Sequence, residues 1–327
     1  MADKLTVGTS PHIHGRELTS KVMWSVFLVL APAGLAGVWI FGIPALKVIL
    51  VSTLTCVVTE ALIQKLTRKK IIIGDGSAAL TGLLLAYNLS SSVPLWMPII
   101  GGVFAMAICK HAFGGLGANI FNPALAARAF LLASWPKHMT EFINPALVHN
   151  GWVKLFSADT VTSATPLVML KEGKVQSLAG LGLSYWDLFL GKRGGCIGEV
   201  CILALLIGAA YLLWKKYIWW QTPTGFILAL GGLSWIFGQN GFFKGDFLFS
   251  ILSGGLILGS FFMATDYVTS PLTRRGQLLF GISCGAIAFV IRRFGGYPEG
   301  VSYSILIMNA AVPLIDRYVR QKRYGVK

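Results

Sequence analysis

From Ser157 to Leu167 the chain reads Ser-Ala-Asp-Thr-Val-Thr-Ser-Ala-Thr-Pro-Leu, a hydroxyl-rich turn closed by a proline. Proline has no backbone N–H to donate, so on residues alone this is a solvated loop. Its spacing is more pointed. Asp159 stands six residues before Thr165, and the small Ser163 and Ala164 between them leave a backbone that an enzyme can handle easily. A second candidate is Arg128, nine residues past Asn119 in the middle of an apolar run. A charge there is expensive, so it should face a cavity, a partner group or a cofactor, unless it snorkels or serves a structural ion pair. Asn119 and Asn122 form a polar helix entry after the Gly-rich turn at Gly114–Gly117. Glu60 is a candidate partner or ion-pathway carboxylate, with interface solvation as the alternative, and Asp266 and Asp316 read as helix-end groups.

Other chemistries are disfavoured. Cys56, Cys109, Cys196, Cys201 and Cys284 are scattered, none in a C-x-x-C, and read as small buried hydrophobes rather than a zinc or iron–sulfur site made by this chain alone. His12 and His14 have no further ligands nearby, so a metal site is not expected. Neither a G-x-x-x-x-G-K-[ST] loop nor a dinucleotide fingerprint after a strand occurs.

The elements that position these residues are apolar. Hydrophobic residues make up 55% of the 327, charged residues only 13%, and mean hydropathy is +0.69. Lipid is therefore the expected solvent. The net charge of +15 does not indicate a nucleic-acid binder, because Lys and Arg sit in short clusters between apolar runs, as membrane flanks do. The first apolar run begins after Lys21 and is long enough to span, so no cleavable signal peptide is expected.

The runs fall near Val22–Phe41, Ala45–Ile63, Ala78–Leu89, Leu95–Cys109 and Asn119–Trp135, then Cys196–Trp214, Ile218–Gly238, Phe247–Met263, Leu278–Ile291 and Val301–Ile315. This predicts an all-α integral membrane protein of about ten transmembrane helices. Ala78–Leu89 and Leu278–Ile291 are short for a straight crossing and read as tilted or broken helices. The expected organisation is a tail (1–21), a first five-helix repeat (22–135), a polar loop (136–195), a second five-helix repeat (196–315) and a basic tail (316–327). Two five-span halves on either side of a loop have opposite orientations. A weak internal echo fits such inverted repeats: Gly74-Asp75 with Gly245-Asp246, Phe113-Gly114-Gly115 with Phe294-Gly295-Gly296, and Asn122-Pro123 with Asn309 and Pro313. Cytoplasmic termini place Lys65, Arg68, Lys69, Lys70, Lys110, Lys215, Lys216, Arg274, Arg275 and the basic tail inside, and the loop of residues 136–195 outside.

Asp-x-x-Thr-Ser-Ala-Thr at 159–165 resembles the motif read by flavin transferases of the ApbE type. Its setting resembles the RnfD/NqrB family of ion-translocating electron-transport complexes. Two further blocks support the likeness over most of the chain: Gly114-Gly-Leu-Gly-Ala-Asn-Ile-Phe-Asn-Pro-Ala124, and Phe261-Phe-Met-Ala-Thr-Asp-Tyr-Val-Thr-Ser-Pro271. RnfD fits better than NqrB, because the chain is short and the motif reads Thr-Ser-Ala-Thr.

The resemblance implies that Thr165 carries FMN. Its hydroxyl attacks the pyrophosphate of FAD, AMP leaves, and a phosphodiester with one negative charge remains. Lys154, Lys171 and Lys174 are candidates to neutralise that charge, or ordinary loop charges. Asp159, Ser163 and Ala164 belong to the motif; Asn119, Asn122 and Arg128 are candidates to line a flavin or ion site, with room for a second, non-covalent flavin (riboflavin or FMN). Further implications are a bacterial cytoplasmic-membrane location and partner subunits RnfA, RnfB, RnfC, RnfE and RnfG. The function implied is electron relay in an assembly coupling ferredoxin/NAD⁺ electron transfer to Na⁺ or H⁺ transport. The rival is a cofactor-free, urea-channel-like solute transporter, because inverted five-helix repeats with broken helices suit that architecture equally.

Overall fold

The computed structural model describes residues 18–68, 71–143, 162–163, 165–171, 183–191, 193–238, 241–296 and 299–320. These residues are mostly helical. Helix α1 (Thr19–Phe41) and α2 (Ile43–Leu66) meet at Gly42, whose φ of 76° makes the reversal, with Pro44 opening α2. Then follow α3 (Ser77–Tyr87), α4 (Trp96–Phe104) running on as a π-helical segment (Ala105–His111), and α5 (Pro123–Ser134). Asn122 caps α5, its side-chain oxygen accepting from the N–H groups of Ala124 and Leu125.

Among the described residues, three helices, α1, α2 and α13 (Arg274–Phe294), are long and apolar enough to cross a membrane. Leu28, Leu35, Leu54, Leu62 and Trp39 are exposed on α1 and α2, an arrangement stable in hydrocarbon and costly in water. The expectation that α3 is short holds: it has 11 residues and is buried on nearly every side. The same expectation for 278–291 does not hold. Helix α13 runs 21 residues, because its polar ends, Arg274 to Gln277 and Arg292-Arg293, are helical too, with Thr273 capping it.

The linking segment adds α6 (Pro136–Thr140), β1 (Phe142–Ile143), β2 (Thr162–Ser163), α7 (Pro166–Lys171) and α8 (Tyr185–Leu190). The second half holds α9 (Ile202–Trp214) and α10 (Gln221–Ile236). A two-residue hairpin follows, β3 (Phe237–Gly238) with β4 (Gly241–Phe242). The expected single span over 247–263 is interrupted: α11 (Phe247–Leu252) stops at Ser253, and Gly254 turns the chain at a φ of 71°. Helix α12 (Leu256–Leu258) then continues as a π-helical segment (Gly259–Met263). The Gly-Gly pair at 254–255 makes this break. Helix α14 (Val301–Tyr318) closes the fold.

One buried cluster draws apolar side chains from both halves. Glycines let its helices touch. A Cβ on Gly281 of α13 would lie 2.4 Å from the Thr222 carbonyl oxygen of α10, and one on Gly82 of α3 would lie 2.6 Å from Thr53 Cα of α2. The halves also meet through polar atoms. Asn122 Nδ2 donates to the Met263 carbonyl (3.4 Å), and Asn309, with its amide oriented to suit its neighbours, accepts from the Asn122 N–H (3.2 Å). Asn88, at the end of α3, donates to Met263 Sδ (3.5 Å), so the ends of the two broken segments abut.

Candidate functional site

Thr165 sits at a junction of short elements. Just before it, Phe142 pairs with Ser163 and Ile143 with Thr162 in an antiparallel ladder, with Phe142 and Ile143 buried. Just after it, Pro166 opens α7, and the Thr165 hydroxyl accepts from the Val168 N–H (3.4 Å). The anchored strand and the proline hold the residue inward; Thr165 is 6% exposed, not a solvated loop position. Asp159 and Ala164 lie outside the described residues, and of Ser163 only the backbone is described.

Thr165 lines a small cavity of about 10 Å³, room for about one water, with Arg193, Glu199, Ser253, Gly254 and Glu299. The walls come from the loop before α9, from the break between α11 and α12, and from the turn before α14. Arg193 donates to the Glu199 carbonyl (3.1 Å), and burial pulls its guanidinium below the usual arginine range. Glu199 Oε1 accepts from the Cys196 N–H (3.1 Å). Arg292 donates to the carbonyls of Ser250 (2.7 Å) and Ser253 (3.1 Å), tying off the end of α11. Among the described residues, Arg193 Nε, Arg292 Nε, Arg128 Nε and Ser253 Oγ are buried donors without a partner.

Arg128 reaches this cluster from α5. It pairs with Glu299 and donates to Asn88 Oδ1 (3.1 Å) and Ser302 Oγ (2.8 Å). Its other amino group approaches Cys196 Sγ (3.8 Å). The expectation of a partnered, inward-facing guanidinium is met. The partner is Glu299, not Glu60. Sequence reasoning does not single out Glu299, Arg193 or Glu199; the available signal is Arg292 and Arg193 near chain turns where the charge pattern otherwise keeps few arginines. Lys171, a candidate to neutralise a phosphate, instead donates to the Gly295 carbonyl. Lys154 and Lys174 lie outside the described residues. Tyr185 donates to Asp246 Oδ2 (2.6 Å), a bond that pushes its phenol up to about 12 and ties α8 to the Gly245-Asp246 turn.

At the opposite end of the same half-interface lies a cleft of about 90 Å³ that includes Asn119, Asn122, Lys110, Tyr217, Phe261 and Asp266. The structure thus separates Asn119 and Asn122 from Thr165. Burial raises the Asp266 carboxyl, and Thr269 Oγ1 donates to it (3.2 Å), so it sits in a buried turn rather than at a helix end. Lys110 is likewise no solvated flank. It is buried, pairs with Glu60 at 2.7 Å and donates to Ser77 Oγ at 2.6 Å, because the π-helical segment turns it inward from α4. Four cysteines are buried and Cys201 is half-buried. The tail histidines, His12 and His14, lie outside the described residues.

Fold and site together define a helical integral membrane protein with two buried ion pairs, Arg128 with Glu299 joining its two halves and Lys110 with Glu60 inside the first. Residues 6–325 match the model of the NQR2, RnfD, RnfE family, and the chain belongs to that family. It is 48% identical over 324 residues to the D subunit of the Na⁺-translocating ferredoxin:NAD⁺ oxidoreductase complex of Acetobacterium woodii, covering 98% of this chain and 96% of the relative. To the D subunit of the proton-translocating ferredoxin:NAD⁺ oxidoreductase complex of Clostridium ljungdahlii it is 47% identical over 329 residues, with the same coverage. To the D subunit of the ion-translocating oxidoreductase complex of Escherichia coli it is 35% identical over 346 residues, covering 98% of each. The resemblance to RnfD drawn from three short blocks therefore extends over nearly the whole chain.

Proposed function

We propose that this chain is the D subunit of an ion-translocating Rnf complex and relays electrons through FMN linked to Thr165. It acts within an assembly that couples electron transfer between ferredoxin and NAD⁺ to Na⁺ or H⁺ transport. The observation that carries the site assignment is the placement of Thr165 itself: the last threonine of the motif is buried and held between the short β1–β2 ladder and Pro166, beside a small cavity that Arg193, Ser253, Glu199 and Glu299 also line. When bound, FMN accepts and donates one or two electrons. The protein contributes the rest: the ladder and Pro166 fix the attachment point, and Arg128 with Glu299 joins the halves beneath it.

The proposed topology has both termini cytoplasmic, the Thr165 face outside and two inverted halves, in a bacterial cytoplasmic membrane. Supporting it, the echoed Asn122 and Asn309 meet directly, and the short segments ending at Asn88 and Met263 abut, as broken helices of inverted repeats do. Partner subunits RnfA, RnfB, RnfC, RnfE and RnfG and an ApbE-type transferase follow from this reading. The cleft with Asn119 and Asn122 is the candidate place for a second, non-covalent flavin, riboflavin or FMN.

The test is to produce the chain with an active flavin transferase, denature it and view the gel under ultraviolet light. A fluorescent wild-type band and a dark Thr165→Val band are expected. A dark wild-type band, beside a labelled control substrate, favours the solute-transporter reading. Fluorescence persisting in Thr165→Val rejects the attachment site.

A further inference from the structure

The connection between α9 and α10 gathers rings and cations at one end of the fold. Trp214, Lys215, Lys216, Trp219 and Trp220 are all exposed. The start of α13 packs beside them: the Tyr267 hydroxyl donates to the Tyr217 carbonyl, and Thr222 Oγ1 donates to the Gln277 carbonyl (3.3 Å). Arg274 and Arg275, also exposed, thereby join the same rim. Two of the cations lie over rings, Arg274 on Trp219 at 4.3 Å and Lys215 on Trp214 at 5.1 Å. Stacking of this kind holds a cation in place and leaves its N–H groups open to an oxygen acceptor. The neighbouring acids are engaged elsewhere. Asp316 accepts from the Leu272 N–H (3.1 Å), and Asp266 accepts from Thr269 Oγ1 (3.2 Å). Among the described residues, none of the four cations has an ion pair. Helix electrostatics accounts for only half of them. Lys215 and Lys216 follow the C-terminal end of α9, which attracts cations, but Arg274 and Arg275 occupy the first turn of α13, which repels them.

Next to the cations the surface turns apolar. From Arg275 an exposed stripe runs up α13 at helical spacing through Leu279, Ile282 and Val290, and Leu272 beside it is 80% exposed. On α9 the exposed Tyr211 and Ile207 continue from Trp214 in the same way. Cations, then rings, then aliphatic side chains is the order of a bilayer from headgroup to acyl chain. We infer that this rim is a binding site for an anionic phospholipid: the four cations hold its phosphate, the tryptophans seat the glycerol region, and the acyl chains lie along α9 and α13. An acidic protein surface would answer the charges but not the aliphatic stripes that lead away from them. The site stands whether or not Thr165 carries a flavin.

The experiment is native mass spectrometry of the full chain in detergent, titrated with phosphatidylglycerol, cardiolipin or phosphatidylcholine. The wild-type chain is expected to hold an anionic lipid about tenfold or more tightly than phosphatidylcholine. Arg274→Gln combined with Arg275→Gln is expected to erase that preference. Lys215→Gln combined with Lys216→Gln is expected to weaken it severalfold, and supplies the answer if the arginine variant does not fold. Lys47→Gln, an exposed cation on α2 outside the rim, is expected to leave it unchanged. Equal retention of the anionic and zwitterionic lipids, or a preference unchanged in both double variants, overturns the inference. Complete displacement of the lipid by glycerol phosphate would reduce the rim to a free-phosphate site and overturn it too. Partner subunits lost from the intact complex of the arginine variant, with lipid preference unchanged, would give the rim to an acidic protein surface instead.

Discussion

A guanidinium placed between helices is stable only with its counter-charge, and Arg128 has Glu299 on one side and the neutral acceptors of Asn88 and Ser302 on the other. Removing one member of such a pair leaves the other buried and unpaired, at a cost of about 3–5 kcal/mol. Arg128→Gln and Glu299→Gln are each expected to lower melting in detergent strongly. Arg128→Met combined with Glu299→Leu is expected to recover much of the loss, and no recovery in the double variant would show that the pair is not acting as a pair. The Lys110–Glu60 pair should behave in the same way. Arg128 was legible because a lone charge in an apolar run demands a partner. Glu299 was not, because 171 residues separate the two and no local pattern marks the acid. Thr165 was legible only through its motif; from hydroxyl content alone the segment reads as solvent-facing, and the short ladder and Pro166 that turn it inward leave little trace in periodicity.

Among the elements, close approach is enforced by absent side chains. Gly225, Gly281 and Gly285 bring α10 and α13 into backbone contact, where any Cβ meets main-chain atoms that cannot move aside. Gly281→Val is expected to abolish or sharply reduce recovery of folded protein, measured by size-exclusion profile in detergent. Gly232→Ala, where a Cβ meets nothing, is expected to leave it unchanged and serves as the control. A wild-type profile for Gly281→Val would contradict the packing. Hydropathy located nearly every helix, since lipid-facing residues such as Leu54 and Leu62 make runs that a window detects. It misjudged two. The break at Ser253–Gly255 falls inside a continuous apolar run, because backbone reversal at a glycine costs no polarity. The ends of α13 are charged, so an apolar window stops short of a helix that continues.

For the whole molecule, two buried ion pairs lie in different places, Arg128 with Glu299 between the halves and Lys110 with Glu60 within the first. Sidedness then decides which end faces the transferase. Trp186 on α8, in the same linking segment of the chain as Thr165, is 71% exposed, and Tyr318 at the end of α14 is 79% exposed. In a chain made free of reactive native thiols, Trp186→Cys is expected to react with an impermeant maleimide in intact cells, and Tyr318→Cys only after lysis. The reverse pattern would place the attachment loop where no outward-acting transferase reaches it. The most direct measurement is peptide mass spectrometry of the native protein over Asp159–Leu167. One FMN-sized addition localised to Thr165 is expected; an unmodified peptide from redox-active complex, or an adduct on any other residue, would contradict the account.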